Sequence, residues 1–261
     1  MIKALFTSAS GMLAQQTVVD ATANNLANVD TTGFKRSQVE FQDLLYQTVR
    51  APGTQGANGA EVPTGIQIGS GVRTSGITKI FSVGNLENTN NLLDLAVNGE
   101  GFFEVQLPNG DSRYTRDGSF RTNSTGQLVT ADGFLLQPPV TIPPDALAIT
   151  VGADGAVSYT DAQNQSQQAG QILTSRFSNN SGLSSEGRNL FAATTASGQP
   201  LPGTPGDNGF GSLQQGFLER SNVQVVTEMI RLITAQRAFE ASQRAVLTSD
   251  QMLQATNGMV R

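Results

Sequence analysis

The sequence contains no cysteine and no histidine among its 261 residues. Without histidine, the Ser-His-Asp arrangement, the papain-like Cys-His pair and histidine-ligated zinc sites are excluded. Without cysteine, thiolate nucleophiles, disulfide bonds, zinc fingers and iron–sulfur clusters are excluded as well. The sequence therefore excludes many of the common catalytic and metal-binding sites.

Charged residues are also scarce. Only 14% of residues are Asp, Glu, Lys or Arg, against about 25% in typical soluble domains. The formal net charge is −5, which is unfavourable for nucleic-acid binding, because that function needs a dense Lys/Arg face. Ser, Thr, Asn, Gln and Gly replace the missing charges, so we expect a mostly neutral polar surface and no nucleic-acid partner.

Long apolar runs are absent too. No run of about 18 apolar residues occurs, so we expect no membrane insertion. The first residues contain Lys3, three apolar or small residues and then polar ones, which is unlike the apolar core of a signal peptide. We therefore expect that any export uses a route that reads no cleavable leader.

Both ends of the chain carry a helical pattern with a seven-residue repeat. Residues 1–28 contain one Gly and no Pro, and residues 221–257 contain neither. Such a repeat keeps one stripe of a helix facing a partner along its whole length. We call this stripe the seam. Its members are Leu5, Met12, Val19 and Leu26 in the first helix, and Val225, Leu232, Phe239, Val246 and Leu253 in the second.

The second helix is predicted to begin at a capping box formed by Ser221 and Gln224. About 35 residues at about 1.5 Å each give a helix of roughly 50 Å, which is long for a small globule. One interpretation is a long core or coiled-coil helix. The other is that both ends pair with each other and with copies of themselves. The neutral polar faces favour the second, because they can be buried at modest cost once hydrogen-bonded.

The middle of the chain has a different pattern. Residues 51–71 hold two Pro and many Gly, and residues 35–76 are expected to form an extended arm. From about residue 77 to 216, turn signals arrive roughly every ten residues, as in compact antiparallel β domains. Hairpins are predicted at 102–115 and 147–160, each with a turn rich in Gly, Asn or Asp.

The predicted fold class is therefore α+β. Residues 1–34 and 217–261 form a discontinuous helical core domain, in which the long terminal helices pair as in a coiled coil. Residues 35–76 form the arm, and residues 77–216 form an inserted antiparallel β-rich outer domain.

No catalytic constellation stands out from the sequence. The run Gly99-Glu100-Gly101 lacks the third glycine of a nucleotide loop, and no helical pattern follows it. Acidic residues such as Asp94 and Glu104 could form a glycosidase pair, but in short hairpins such residues usually lie on solvated faces or in turns. We predict no catalytic, cofactor-binding or metal site. A secreted β-rich protein that binds or hydrolyses cell-wall glycan stays open as an alternative.

Several segments resemble, in order, the flagellar rod and hook protein family. Residues 23–36 (ANNLANVDTTGFKR) resemble the signature that ends the N-terminal helix of that family. Residues 221–223 and 228–240 resemble its C-terminal signature, and residues 114–130 resemble its middle β domain. The signature positions carried over are Asn24, Asn25, Ala27, Asn28, Gly33, Phe34, Ser221, Asn222 and Val223.

The resemblance implies a structural protein with no reaction and no cofactor. Copies would stack helically into a hollow shaft, the distal rod of the bacterial flagellar basal body, which runs from the periplasm to the outer membrane and transmits torque to the hook. Residues 41–50 and 65–73 are similar to the stretch that sets distal rod subunits apart from their siblings. A proximal rod subunit of similar size is the alternative within the family.

The same resemblance implies partners. These are other copies of the chain, the proximal rod proteins, the hook protein, the P-ring and L-ring proteins, the rod cap protein and the flagellar type III export apparatus. The seam residues would form the assembly interface, because helices of unequal length cannot bury all of them in one pair. Residues 46–65 correspond to an insert that the family uses to lock subunits against bending.

Overall fold

A computed structural model describes residues 2–53, 64–207 and 209–259. It contains two long α-helices with antiparallel β structure between them, which confirms the α+β class at this level. Helix α1 is Ile2–Ala27 and helix α2 is Val225–Met259. Neither these helices nor any other in the described ranges has the length and apolar content needed to span a bilayer.

The chain folds as two compact units. The described residues of Met1–Leu26, Ser37–Thr78 and Gln224–Arg261 form the first, which we call the helical unit. The described residues of Ala27–Arg36 and Lys79–Val223 form the second, which we call the β unit.

The helical unit combines the two helices with a β ribbon. Strand β1 (Ser37–Asp43) pairs with β4 (Val72–Lys79), and β2 (Tyr46–Arg50) pairs antiparallel with β3 (Ile66–Gly69). The ribbon occupies most of the predicted arm, and most of its side chains are exposed. Part of the predicted insert, residues 54–63, lies outside the described residues.

Helices α1 and α2 lie side by side and run antiparallel. Asn25 Nδ2 donates a hydrogen bond to Glu228 Oε2 at 3.2 Å, and a Cβ at Gly11 would lie 3.5 Å from Ser242 Oγ. The two contacts are separated by 14 residues along each helix, in opposite directions. Small residues at such positions let helix backbones approach closely.

The start of α2 differs from the prediction. The predicted capping box at Ser221 and Gln224 is wrong. The helix begins at Val225, and its first hydrogen bond runs from Glu228 N to Gln224 O at 3.0 Å. Ser221 Oγ instead accepts from Val223 N at 3.3 Å. Ser221 and Val223 are buried in the β unit, which holds this segment in a non-helical conformation.

The described part of the β unit consists of short strands and one 3₁₀ turn, Asn180–Gly182. The strands are β5 Leu86–Asn88, β6 Leu95–Asn98, β7 Phe102–Gln106, β8 Ser112–Thr115, β9 Arg121–Thr122, β10 Leu128–Val129, β11 Leu135–Gln137, β12 Ala148–Val151, β13 Ala156–Thr160, β14 Ser166–Gln171, β15 Thr174–Arg176, β16 Ser184–Gly187, β17 Leu190–Ala192, β18 Leu201–Gly203, β19 Ser212–Gln215 and β20 Phe217–Glu219.

These strands form one large antiparallel sheet and three smaller ones. The large sheet runs β16-β17-β8-β7-β11-β10-β9, and β15 joins β7 to β18 beside this path. The smaller sheets are β12-β13-β14, β19-β6 and β20-β5. Both predicted hairpins are confirmed, because Phe103 pairs with Thr115 across β7 and β8, and Ala148 pairs with Thr160 across β12 and β13.

Strand β7 divides the core of the β unit between its two faces. Successive side chains on a strand point to opposite sides. Phe103 packs edge-to-face on Phe120 in the main apolar cluster, at 5.1 Å between ring centroids. Phe102 packs in a second, aromatic cluster with Phe177 and Phe191. The sheet is therefore covered on both faces at its centre.

The predicted three-part division does not coincide with the two units. Residues 27–36 lie in the β unit because Gly33 N donates to Glu219 O at 2.8 Å. Residues 217–223 lie there as well, because β20 pairs with β5. Residues 37–78 lie with the helices, since Ser37 is hydrogen-bonded to Asn25 of α1.

Candidate functional site

The carboxylates considered for catalysis have structural partners. Asp94 is buried rather than solvated, and its oxygens accept hydrogen bonds from Thr89 Oγ1 at 2.6 Å and from Asn91 Nδ2 at 2.9 Å. Glu104 Oε2 accepts from Ser175 Oγ at 3.3 Å. Within the described ranges, no three His, Cys, Asp or Glu side chains group so as to hold a metal ion.

One signature position in the segment that follows α1, Gly33, instead lies in a buried site of the β unit. Gly33 has φ +67°, a left-handed conformation that favours glycine. A Cβ here would lie 2.7 Å from both Arg116 C and Asp117 N. Glycine is therefore required at this position on two grounds, its backbone conformation and the close approach of another main chain.

Two residues beyond Gly33, Lys35 forms a fully buried ion pair. Its Nζ lies 2.5 Å from Glu219 Oε1, and both side chains are at most 1% exposed. Lys35 Nζ also donates to Ser82 O at 2.8 Å, and Gly84 N donates to Glu219 Oε1 at 2.8 Å. The pair ties the segment after α1 to the strand that precedes α2.

Arg116 completes this site, which we call the buried junction: Gly33, Lys35, Arg116 and Glu219. Arg116 donates to Gly99 O at 2.5 Å and to Val97 O at 3.2 Å, and its NH1 lies 3.7 Å from Glu219 Oε2. Among the described residues, Arg116 Nε and Glu219 Oε2 have no hydrogen-bond partner. Burial lowers the pKa of Arg116, and the negative charge of Glu219 opposes that shift.

The ionisation of Lys35 predicts a pH dependence of stability. Burial lowers its pKa from 10.5 to about 8 in the folded chain, although Glu219 acts in the opposite direction. Between about pH 8 and 10 the unfolded chain therefore holds more protons, and the free energy of unfolding rises with pH. Below pH 8 Lys35 is protonated in both states and adds no slope.

Denaturant unfolding between pH 7 and 10 measures this effect, with Lys35→Met as the comparison. The parent chain should gain stability from pH 8 to 10 more steeply than Lys35→Met does. The variant keeps a smaller slope, because burial also lowers the pKa of Lys79. Equal slopes in the two proteins would contradict the assignment to Lys35.

The remaining signature residues of the β unit hold backbone segments together. Asn222 Oδ1 accepts from Arg36 N at 2.8 Å, and Asn222 Nδ2 donates to Ile80 O at 2.8 Å. The Phe34 ring lies 4.9 Å from Lys79 Nζ, a cation–π distance. Asn28 accepts from Thr31 in the turn that follows α1. Ala27, the last residue of α1, is exposed.

In the helical unit, the signature residue Asn25 joins three elements through its side-chain hydrogen bonds. It is buried, its Oδ1 accepts from Ser37 N at 2.8 Å, and its Nδ2 donates to Ser37 O at 2.8 Å and to Glu228. Glu228 is also buried, and its Oε1 accepts from Arg231 NH1 at 3.0 Å. This cluster joins α1, β1 and α2. The neighbouring signature residue Asn24 lies on the exposed side of α1.

The structure places the seam at the flank of the helix pair. Leu5, Met12, Val19, Leu26, Leu232, Val246 and Leu253 are half-buried, and Val225 and Phe239 are exposed. The fully buried positions of α2 are Glu228, Ala235 and Ser249. Small side chains thus face the interior of the unit, and the seam's role as assembly interface stays a prediction.

Two grooves run along the helices within this unit. One, of about 340 Å³, lies among α1, β1 and α2, and its lining includes Val18, Val39 and Ile230. The other is lined by Val19 and Phe239, one from each half of the seam, together with polar residues of α1 and α2. The seam of α1 therefore meets that of α2 at an open surface.

Sequence reasoning missed Glu219, Glu228 and Arg116 as buried charges. One signal was available for Glu228, which falls on the same seven-residue register as Ala235, Ser242 and Ser249. No pattern marked Glu219, because its partners lie 184 and 103 positions away in the sequence.

Three family models match the chain. Residues 5–35 match the model described as flagella basal body rod protein. Residues 96–159 match the flagellar hook protein FlgE/F/G D1 domain, and residues 214–259 match the flagellar basal body rod FlgEFG protein C-terminal domain. The two terminal matches include both halves of the seam and both signatures, and the middle match falls in the β unit.

Full-length relatives are similar to the chain over nearly its whole length. The flagellar basal-body rod protein FlgG of Buchnera aphidicola subsp. Schizaphis graminum is 48% identical over 97% of this chain and 98% of its own. FlgG of Caulobacter vibrioides is 48% identical over 98% of each chain. FlgF of Caulobacter vibrioides is 37% identical over 92% of this chain and 91% of its own. Similarity to these FlgG proteins is therefore higher in both identity and coverage.

Proposed function

Because the chain belongs to the flagellar basal-body rod protein family, we propose that it polymerises with copies of itself into the distal part of the rod. It is a structural subunit of the flagellar basal body and not an enzyme. The alternative of a secreted β-rich protein that binds or hydrolyses cell-wall glycan is therefore not favoured. The proximal-rod alternative is not favoured, since identity to FlgG proteins reaches 48% against 37% for the FlgF sibling.

The observation that carries this proposal is the exposure of large apolar side chains on both terminal helices. On α2, Val226, Met229, Ile230, Ile233 and Leu247 are about half exposed or more. A helix that is apolar on more than one face is normally buried on more than one side. One chain supplies only one such side, so we infer that other copies supply the rest and that the helices pack in a coiled-coil-like layer.

Charge distribution supports the same assignment of roles. The sequence segments of the helical unit contain equal numbers of acidic and basic residues, so the net charge of −5 resides in the β unit. A neutral unit can assemble with copies of itself without net electrostatic repulsion. We propose that the helical unit forms the inner layer around a channel and that the acidic β unit faces outward.

The proposed location in the distal rod implies a set of partners. In the distal rod, the chain would contact the proximal rod proteins, the hook protein, the rod cap protein and the P-ring and L-ring proteins between periplasm and outer membrane. Export would be through the flagellar type III apparatus without leader cleavage. The ribbon residues of the 46–65 insert would lock neighbouring subunits against bending, and exposed Tyr46 and Val49 offer apolar contacts for that role.

A carboxylate on the seam tests self-assembly. Phe239→Asp, and equally Leu232→Asp, should abolish polymer formation, because a charge without a partner is costly to bury in a packed interface. Both positions are at least partly exposed in the single chain, so folding should survive. Sedimentation of the concentrated protein measures the loss of polymer.

The matched control is Gln243→Asp, which adds the same charge at an already polar position of the same groove and should leave more polymer. Circular dichroism should show the same helix content in all variants. Polymer at the parental level in Phe239→Asp would remove the seam from the proposed interface.

A further inference from the structure

The first turns of α2 carry an apolar face that the described residues leave about half exposed or more. Val226 is 71% exposed, Ile230 59%, Ile233 50% and Met229 49%. In chain order, Val226, Met229, Ile230 and Ile233 are three, one and three residues apart. They therefore surround one hollow on a single helix face. The buried residues Glu228 and Ala235 lie on the opposite side. We call these four exposed residues the α2 patch.

Helix α1 carries a smaller exposed apolar face, which we call the α1 patch. Phe6 is 70% exposed and Leu13 is 67% exposed, seven residues apart on one side of the helix. Both are separate from the seam, whose α1 residues are half-buried.

The two patches lie at different levels along the helix pair. Asn25 meets Glu228 near the start of α2, and Gly11 lies opposite Ser242 further along. Phe6 is therefore level with a part of α2 beyond Ser242. At about 1.5 Å per residue, this part lies about 30 Å along the helix from Val226. A single chain cannot bring its own two patches together.

We propose that the α1 patch of one copy packs on the α2 patch of the next. This deepens the proposed function, on which it rests, by naming the surfaces that meet. Subunits of a filament point the same way, and α1 and α2 are antiparallel in each copy, so the contact is antiparallel. Leu13 inserts as a knob into the hollow formed by Val226, Met229, Ile230 and Ile233.

Charge complementarity supports this register. With Leu13 in the hollow, Phe6 lies two turns further along, beside Ile233 and the stem of Arg237. Lys3 is then level with Glu240. Lys3 and Glu240 are exposed and opposite in charge, and the internal partner of Glu240, Arg244, is 3.8 Å away at the surface.

The contact joins two different surfaces, so it is heterologous and leaves a free patch at each end. Contacts of this kind generate open filaments rather than closed dimers. Relative to the pairing within one chain, the neighbouring copy is displaced by about three helical turns, or roughly 16 Å.

The lack of cysteine in the chain allows a direct test by disulfide cross-linking. Full-length Leu13→Cys and Ile230→Cys chains are mixed, assembled at high concentration and oxidised with diamide. We expect at least tenfold more disulfide-linked dimer in the mixture than with either variant alone. The control replaces Ile230→Cys by Leu247→Cys, an exposed apolar position of α2 outside the patch, and should give only background dimer.

Each other outcome decides the question. Cross-linking of Leu13→Cys with itself would mean a two-fold contact and would overturn the proposal. In the proposed antiparallel contact, Lys3→Cys should cross-link with Glu240→Cys. Cross-linking of Asp20→Cys with Arg237→Cys instead would require parallel helices and would also overturn the proposal. Sedimentable polymer without the Leu13–Ile230 cross-link would reject these surfaces but leave self-assembly standing. Failure of the parent chain to form any polymer would reject both.

Charge reversal gives a second readout that needs no oxidation. Lys3→Glu or Glu240→Lys alone should slow assembly several-fold, and the two together should restore it toward the parental rate. Equal helix content in all three variants keeps the comparison free of folding effects. No recovery in the double variant would contradict the register.

Discussion

Lys35→Met should lower the free energy of unfolding of the β unit by about 3 kcal/mol or more at pH 7. The substitution removes the donor of the hydrogen bonds to Glu219 Oε1 and Ser82 O in a site that is at most 1% exposed. Deprotonation of Lys35 above pH 8 has a different effect, because the neutral amine still donates to both oxygens. Arg116 cannot take over, because its NH1 lies 3.7 Å from Glu219 Oε2 and it is already committed to the carbonyl oxygens of Gly99 and Val97.

Urea unfolding followed by near-ultraviolet circular dichroism of tyrosine measures this loss, since Tyr114 is buried in the β unit. The control is Arg113→Met, which removes an ion pair of similar length with Glu186, at 2.6 Å, from a partly exposed site. Partly exposed pairs contribute about 1 kcal/mol or less. Similar losses in the two variants would mean that the buried junction contributes no more to the free energy of unfolding than a partly exposed ion pair.

Gly33→Ala should destabilise the same unit by about 2–3 kcal/mol, the upper range for a strained backbone position. The left-handed φ of +67° penalises any side chain, and the new Cβ would lie 2.7 Å from the main chain of Arg116 and Asp117. Because this main chain is part of the buried junction, it cannot move away without disturbing the Arg116 hydrogen bonds.

Gly110→Ala separates the two causes. Gly110 also has a left-handed φ, +89°, but nothing lies within 4 Å of its Cβ position. Gly110→Ala should therefore lower the free energy of unfolding by only about 1 kcal/mol, which is the cost of the backbone conformation alone. Thermal unfolding of both variants measures the difference. A loss for Gly33→Ala no larger than for Gly110→Ala would show that the close approach is not limiting.

The fold was predictable where the signal is local. Unbroken helical repeats at 1–28 and 221–257 predicted α1 and α2, and the turn residues at 108–111 and 152–155 predicted the two hairpins found in the β unit. Such features depend on neighbours a few residues apart. The resemblance to rod and hook proteins, read from residues 23–36 and 221–240, agrees with the family-model matches at both ends.

The candidate site was only partly predictable. Asn25, Gly33 and Asn222 were named through the family signature. Glu219 was not named, and Arg116 was included only as part of residues 114–130 with no buried role, because their contacts join distant parts of the sequence. The boundary of α2 was misplaced for the same reason. Asn222 is held by Arg36 and Ile80, and no local pattern at Ser221 reveals those partners.

The seven-residue repeat predicted which residues share a stripe, but not which side of the helix faces the interior. On α2, the small residues Ala235 and Ser249 are buried, whereas Phe239 is exposed. Close approach of α1 at Gly11 favours small side chains at the contact. Large apolar residues are thereby left at the flank and on the outer face, where only other molecules can cover them.

The most direct test of the account is negative-stain electron microscopy of the full-length chain as its concentration is raised, with sedimentation in parallel. Filaments or rods of uniform diameter should form from the parent chain, and Phe239→Asp should remain as single subunits of parental helix content. A parent chain that stays monomeric at high concentration, with its apolar helix faces still in water, would contradict the claim that neighbouring copies complete them.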